Sequence, residues 1–309
     1  MPIAMPLPSA VSTGNRIQND SVMLYLSVGR LRTRRKLSTS AVETDIDKTL
    51  LHISKDILES PELEAIATHD NELRSWIKAR CLPSPFKKKG VLILPVRLIQ
   101  EVMNRIDQAQ VARQPLVEAF MATYAQRKAE ALPKLASGFD ARDYPPDDAV
   151  RGSFTFEAQM WELSAPGQLQ AINRELYQRE LCKMNNMWSE ARETINSVLL
   201  EELRKLTAHM ADRLAPGVDG KGKTFRNTTI TNLTEWLELF SARNLGDDAE
   251  LVSVVERARA LIAGVDPENV RDSESLRNQL ANDFKAITHE LDESLINRPV
   301  RVIDLTEES

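Results

Sequence analysis

Residues 168–214 read QLQAINRELYQRELCKMNNMWSEARETINSVLLEELRKLTAHMADRL, with no proline or glycine anywhere in the run. Those two residues are the costly ones in a helix interior. The segment 166–214 therefore predicts one helix of roughly 70 Å, at 1.5 Å per residue. Within it, Leu181, Met184, Trp188, Ala191, Ile195 and Val198 alternate steps of three and four, which is a heptad seam. The pattern then slips through Leu199, Leu203, Leu206 and Met210, as in a stutter. Two readings follow. The helix is a coiled-coil arm that meets a partner along the seam, or it packs along its own domain beside the helical segment 96–134.

The rest of the chain is read outward from this helix. Before it, Phe154, Phe156, Ala158 and Met160 alternate with polar residues and predict a strand over about 153–163. Val22, Leu24, Leu26 and Val28 predict a second strand, able to pair with the first. Ile46, Leu50, Ile53 and Ile57 predict a helix from about Thr44. Ser60 and Pro61 predict an N-cap and first helical position, followed by Leu63, Ile66, Leu73, Trp76 and Ile77 on one stripe. The apolar run 91–95 is either a strand or an extended entry to the next helix. That helix carries Val96, Ile99, Met103 and Ile106 and is expected to break or kink at Pro115. Residues 136–151 have no periodicity and read as a loop. After the long helix, stripes at 229–243, 247–263 and 273–296 predict three more helices, with Gly264 as a C′ cap.

The expected architecture is mainly α: an elongated helical protein with a long central coiled-coil-like helix and a small accessory β-sheet or hairpin. Its expected parts are a flexible leader (1–20), a helical body with the small sheet and the long helix (21–215), a polar loop (216–228), C-terminal helices (229–296) and a tail (297–309).

Composition limits the function. The 309 residues carry 40 Lys+Arg against 45 Asp+Glu, a net charge of -5, which counts against nucleic-acid binding by the chain as a whole; the overall composition is ordinary for a globular chain. No run of about 18 apolar residues spans a bilayer, and the start of the chain lacks the layout of a secretory signal. The expectation is a cytoplasmic protein that does not enter a membrane. Cys81 and Cys182 are far apart and outside any CxxC pair, so both are expected to be reduced. His52, His69, His209 and His289 show no ligand spacing, and no metal or other cofactor is expected. The acid pairs Asp147/Asp148 and Asp247/Asp248 have no base or nucleophile beside them, so the chain is not expected to be an enzyme. The string Gly217 to Thr224 fits the spacing GxxxxGK[ST]. A phosphate loop needs a strand before it, and here a long helix precedes.

Three basic runs remain: Arg30, Arg32, Arg34, Arg35 and Lys36; Lys87, Lys88 and Lys89; and Lys221, Lys223 and Arg226. Cations of this kind neutralise phosphates, so nucleic-acid binding is the alternative to a protein-interaction role.

Several strings occur together in order: Leu24-Tyr25-Leu26-Ser27-Val28-Gly29-Arg30, Leu94-Pro95 at a helix start, and Ser153-Phe154-Thr155-Phe156. They are followed by Phe225-Arg226-Asn227-Thr228-Thr229, Phe240-Ser241-Ala242-Arg243-Asn244-Leu245 and Arg257-Ala258-Arg259-Ala260-Leu261-Ile262-Ala263-Gly264. In these strings, across about 20–305, the chain resembles an uncharacterised family of phage, plasmid and bacterial proteins. Genes of that family lie beside a MoxR-type AAA+ ATPase and a von Willebrand factor A domain protein. The resemblance implies a non-enzymatic helical adaptor or scaffold acting with those partners, and it transfers no catalytic residues.

Overall fold

The computed structural model describes residues 14–37, 47, 50, 52–86, 88–216, 227–265 and 267–296. Among them the elements run α1 (Gly14–Asn19), β1 (Ser21–Val28), β2 (Arg34–Lys36), β3 (Ser54–Asp56), α2 (Pro61–Arg80), β4 (Leu82–Pro83), β5 (Val91–Pro95), α3 (Ile99–Leu135), α4 (Asp147–Ser153) and β6 (Phe156–Trp161). They continue with α5 (Leu169–Ile172), α6 (Arg174–Leu214), α7 (Asn227–Arg243), α8 (Ala249–Ile262), α9 (Pro267–Asp272) and α10 (Glu274–Ile296). The fold is mainly α with two long helices, α3 of 37 residues and α6 of 41. The described strands form a four-stranded sheet in the order β4-β5-β1-β6 and a two-stranded ribbon, β2-β3.

The chain divides into two compact units, one of residues 24–78 and 99–160, the other of 1–23, 79–98 and 161–309. The expected body 21–215 is thus split between them. Boundaries read from loops follow the chain, whereas compactness follows contacts between segments far apart in sequence.

In the unit 24–78 and 99–160, α2 begins as expected. Ser60 Oγ accepts from the Leu63 N–H at 3.2 Å and donates to Glu62 Oε2 at 2.7 Å. Glu62 also receives Arg127 from α3, with Nη2 at 2.7 Å and Nε at 3.2 Å. These bonds, Arg127 first and Ser60 next, hold the Glu62 carboxyl down at about 2. α2 buries Ile66, Asp70, Leu73 and Ile77, while α3 buries Val102, Ile106, Ala109, Arg113, Phe120 and Tyr124. Asp70 and Arg113 therefore stand in stripe positions otherwise held by apolar side chains. The core below them joins Leu31, Ile57, Leu58, Ile66, Phe120, Tyr124, Tyr144 and Val150.

Asp70 and Arg113 meet in that interior. Arg113 Nε donates to Asp70 Oδ1 at 2.8 Å and Nη2 to Oδ2 at 3.2 Å, with side chains 4% and 1% exposed. The same guanidinium donates to the carbonyls of Gly29 at 2.5 Å, Phe154 at 3.3 Å and Thr155 at 3.4 Å. It therefore ties α2 and α3 to the end of β1 and the start of β6. Gly29 is required there, because a Cβ at this position would press on the Thr155 hydroxyl and lie 2.8 Å from the Ser153 carbonyl oxygen.

Three expectations for this unit are corrected. The stripe 46–57 does not form one helix: Ser54–Asp56 is a strand, registered antiparallel with Arg34↔Asp56, Arg35↔Lys55 and Lys36↔Ser54. Pairing across the ribbon satisfies this backbone, and a stripe of four apolar residues is too weak a helix signal to prevent it. Of the two outcomes expected at Pro115, a break or a kink, the break is excluded, since α3 runs through both Pro115 and Pro133. Val111, whose carbonyl loses its helical donor, lies on an exposed face where water serves instead. Part of the expected loop 136–151 is helical, as α4.

The other unit is organised on α6. Its N-cap is Asn173, whose side chain accepts from the Leu176 N–H at 3.0 Å, so the expected helix 166–214 is interrupted just after α5. α10 lies along α6, with α7, α1 and α5 also against it. Part of the expected flexible leader is ordered here: α1 buries Ile17 completely. Asp248 caps α8 by accepting from the Leu251 N–H at 3.1 Å, and Gly264 adopts a φ of 72°, as its expected role demands.

Removing either member of the Asp70–Arg113 pair strands a buried charge. Asp70→Ala and Arg113→Ala should each cost about 3–5 kcal/mol in chemical denaturation, and the double change Asp70→Leu/Arg113→Met should cost less than their sum. Because the Glu62 carboxyl is lowered in the folded chain, its contribution is complete above the unfolded value near 4.5 and is lost as pH falls through about 2. A urea-midpoint series over that window should fall less steeply for Glu62→Gln than for the native chain.

Candidate interaction surfaces

The seam on α6 divides in two. Trp188, Ala191 and Ile195 are buried within their own unit, at 2%, 3% and 0% exposure, so this stretch of the seam is core and cannot receive a partner. Val198 is half-buried. Nearer the start of the helix the situation changes. Residues 174–187 contain no buried side chain, yet Leu176, Tyr177, Leu181, Met184 and Met187 are half-covered and lie on one face. Gln178, Arg179, Cys182, Lys183, Asn185 and Asn186 are exposed. Just before them Ile172 is 78% exposed.

Farther along α6, Glu202 gathers two partners from α7. Trp236 Nε1 donates at 2.7 Å, and Arg243 donates with Nη1 at 2.7 Å and Nη2 at 3.0 Å. Arg243 Nη2 also reaches the Cys81 carbonyl at 3.4 Å beside β4. No pattern in the sequence singles out Glu202, and Arg243 stands there only within the string 240–245. The signal was present only as an acid between Leu199 and Leu203 and an arginine at a helix end. At the turn after α7, Gly246 lies against the Asn196 side chain, where a Cβ would fall 2.7 Å from Cγ.

The three basic runs are placed as follows. Arg30, Arg32, Arg34 and Lys36 are exposed, whereas Leu31 is buried and Thr33, Arg35 and Leu37 are half-buried. Arg35 differs from its neighbours because its guanidinium donates to the carbonyls of Arg32 at 2.6 Å, Arg34 at 3.1 Å and Asp143 at 3.5 Å. Lys88 and Lys89 are exposed in the other unit. The Lys87 side chain and all of Lys221, Lys223 and Arg226 lie outside the described residues, as do the string Gly217 to Thr224 and the tail 297–309.

Among the described residues, no group of three His, Cys, Asp or Glu side chains is arranged to hold a metal ion, and no helix is long and apolar enough to cross a membrane. No protein-family model matches the chain, and no curated protein or solved structure shows significant similarity to it.

The two cysteines differ in environment. Cys182 is exposed on α6, while Cys81 is buried and its thiol is pushed up to about 12, chiefly by desolvation. Native protein at pH 8 should therefore react with a disulfide reagent at one thiol per chain, and at two after denaturation. Loss of the fast thiol in Cys182→Ser would assign it.

Proposed function

We propose that the chain is a non-enzymatic, cytoplasmic helical adaptor or scaffold of a phage or other mobile element. In this reading it works with a MoxR-type AAA+ ATPase and a von Willebrand factor A domain protein. The observation that carries the proposal is the first part of α6. Fourteen consecutive residues, 174–187, bury nothing completely, yet they keep a continuous apolar stripe through Tyr177, Leu181 and Met184. An amphipathic helix with one face half-covered is the form in which proteins offer a helix to a partner. The resemblance of the quoted strings to that family suggests the partners.

A tagged pull-down from the native host, with and without nuclease, tests the proposal. Recovery of the ATPase should resist nuclease. It should fall about thirtyfold or more in Leu181→Asp/Met184→Asp, the loss of a central apolar contact of 2 kcal/mol or more. The variant should keep its helical circular dichroism, because neither side chain belongs to the buried core. Recovery of nucleic acid alone, with no ATPase, would sink the proposal.

A further inference from the structure

The ribbon β2-β3 has two faces of different character. On one, Arg35 and Lys55 stand opposite each other in register and are both held by the segment 138–143. Lys55 Nζ bonds the Gly138 carbonyl and forms an ion pair with Asp143 Oδ2 at 2.6 Å, and Arg35 Nη2 donates to the Asp143 carbonyl at 3.5 Å. These two cations are engaged internally.

The other face is open. Exposure alternates over residues 30–37, and Leu31 is anchored in the core, so Arg30, Arg32, Arg34 and Lys36 are all exposed. Backbone bonds from Ile57 N–H to the Thr33 carbonyl at 3.0 Å and from Leu37 N–H to the Ile53 carbonyl at 2.9 Å keep 33–37 extended. Within this extended stretch Arg34 and Lys36 lie about 6.7 Å apart, a step similar to that between successive phosphates of one nucleic-acid strand, and Arg30 and Arg32 precede them in backbone that forms no strand. Among the described residues, no carboxylate forms an ion pair with any of the four. The acid on the same face is Asp56, opposite Arg34 in register. Four like charges in a row repel each other, and a linear polyanion relieves that repulsion.

We infer that this face is a phosphate-backbone binding ladder for double-stranded nucleic acid, contacted by Arg30, Arg32, Arg34 and Lys36. Three of the four are arginines, whose planar forks fit phosphate oxygens. Neither 30–37 nor 52–57 contains Phe, Tyr or Trp, so the ribbon has no platform for stacking unpaired bases. A duplex, held by its backbone without sequence preference, is the ligand this chemistry fits. The inference does not depend on the adaptor role of α6, which belongs to the other unit.

Fluorescence anisotropy of the full chain with a labelled 25-base-pair duplex of arbitrary sequence, between 50 and 200 mM NaCl, tests the ladder. Four phosphates neutralised should give a log-log salt slope of about −3.6, or roughly 150-fold weaker binding across that range. The combined change Arg30→Gln/Arg32→Gln/Arg34→Gln/Lys36→Gln should bring the slope close to zero. Arg32→Gln alone should reduce its magnitude by about 0.9, which keeps the test open should the combined variant misfold. Lys88→Gln/Lys89→Gln should leave binding unchanged. The inference is overturned by absence of duplex binding at 50 mM salt or by a slope unchanged in the ladder variants. An equal loss in the Lys88/Lys89 variant would overturn it, as would tighter binding to the matching single strand or to phosphatidylserine vesicles than to the duplex.

Discussion

A single guanidinium, that of Arg113, decides how the unit 24–78 and 99–160 closes. Its bidentate pair with Asp70 joins α2 to α3, and its remaining N–H groups reach three carbonyls where β1 ends and β6 begins. Removing a charge from water costs several kcal/mol, so the arrangement is tolerated only because every direction of the fork meets oxygen. Phe154 and Phe156 lie with ring centroids 5.8 and 6.0 Å from the guanidinium carbon and add a cation–π component. The close approach explains Gly29, and it makes the site intolerant of displacement. The ribbon β2-β3 begins at Arg34, five residues after this fixed point.

The unit built on α6 uses the same device in a wetter form. Arg243 is buried, but its partner Glu202 remains 35% exposed on its side chain, and Trp236 shares the same carboxylate. The pair fixes the end of α7 against the middle of α6, while α10 lies along the helix and bonds it through Asp292 to Arg204 and Thr288 to Thr207. What the packing leaves open is the beginning of α6. The helix holds its hydrogen bonds there without complete burial, supported by its Asn173 cap. An exposed, well-formed helix with an apolar stripe and a cationic ribbon are thus properties of two different units. The first offers hydrophobic area, the second charge, and the two have opposite responses to salt.

Much of the local structure was legible beforehand. The Ser60-Pro61 start of α2, the strand at 22–28 and its pairing with the strand near 156, and the left-handed Gly264 all rest on interactions within a few residues or on simple alternation. The misread places are those where distant partners intervene. The segment 53–57 takes its conformation from 33–37, and Pro115 is tolerated because the helix face behind it meets water. Among site residues, the exposed run 30–36 could be named from composition, but its division into four outward cations and one inward arginine could not. That division comes from the register with β3 and from the burial of Leu31.

By itself, the sequence determined that the protein is mainly helical, that a long helix ends near 214, and that a small sheet joins segments near 22 and 156. Helix and strand periodicities and the cost of proline and glycine act locally and are written in residue order. Only the tertiary structure decided that Trp188, Ala191 and Ile195 are core while Leu181 and Met184 stay half-covered, although all five belong to one heptad pattern. A seam says which side chains share a face, and it carries no information about how far along the helix the chain's own apolar surface extends to cover it.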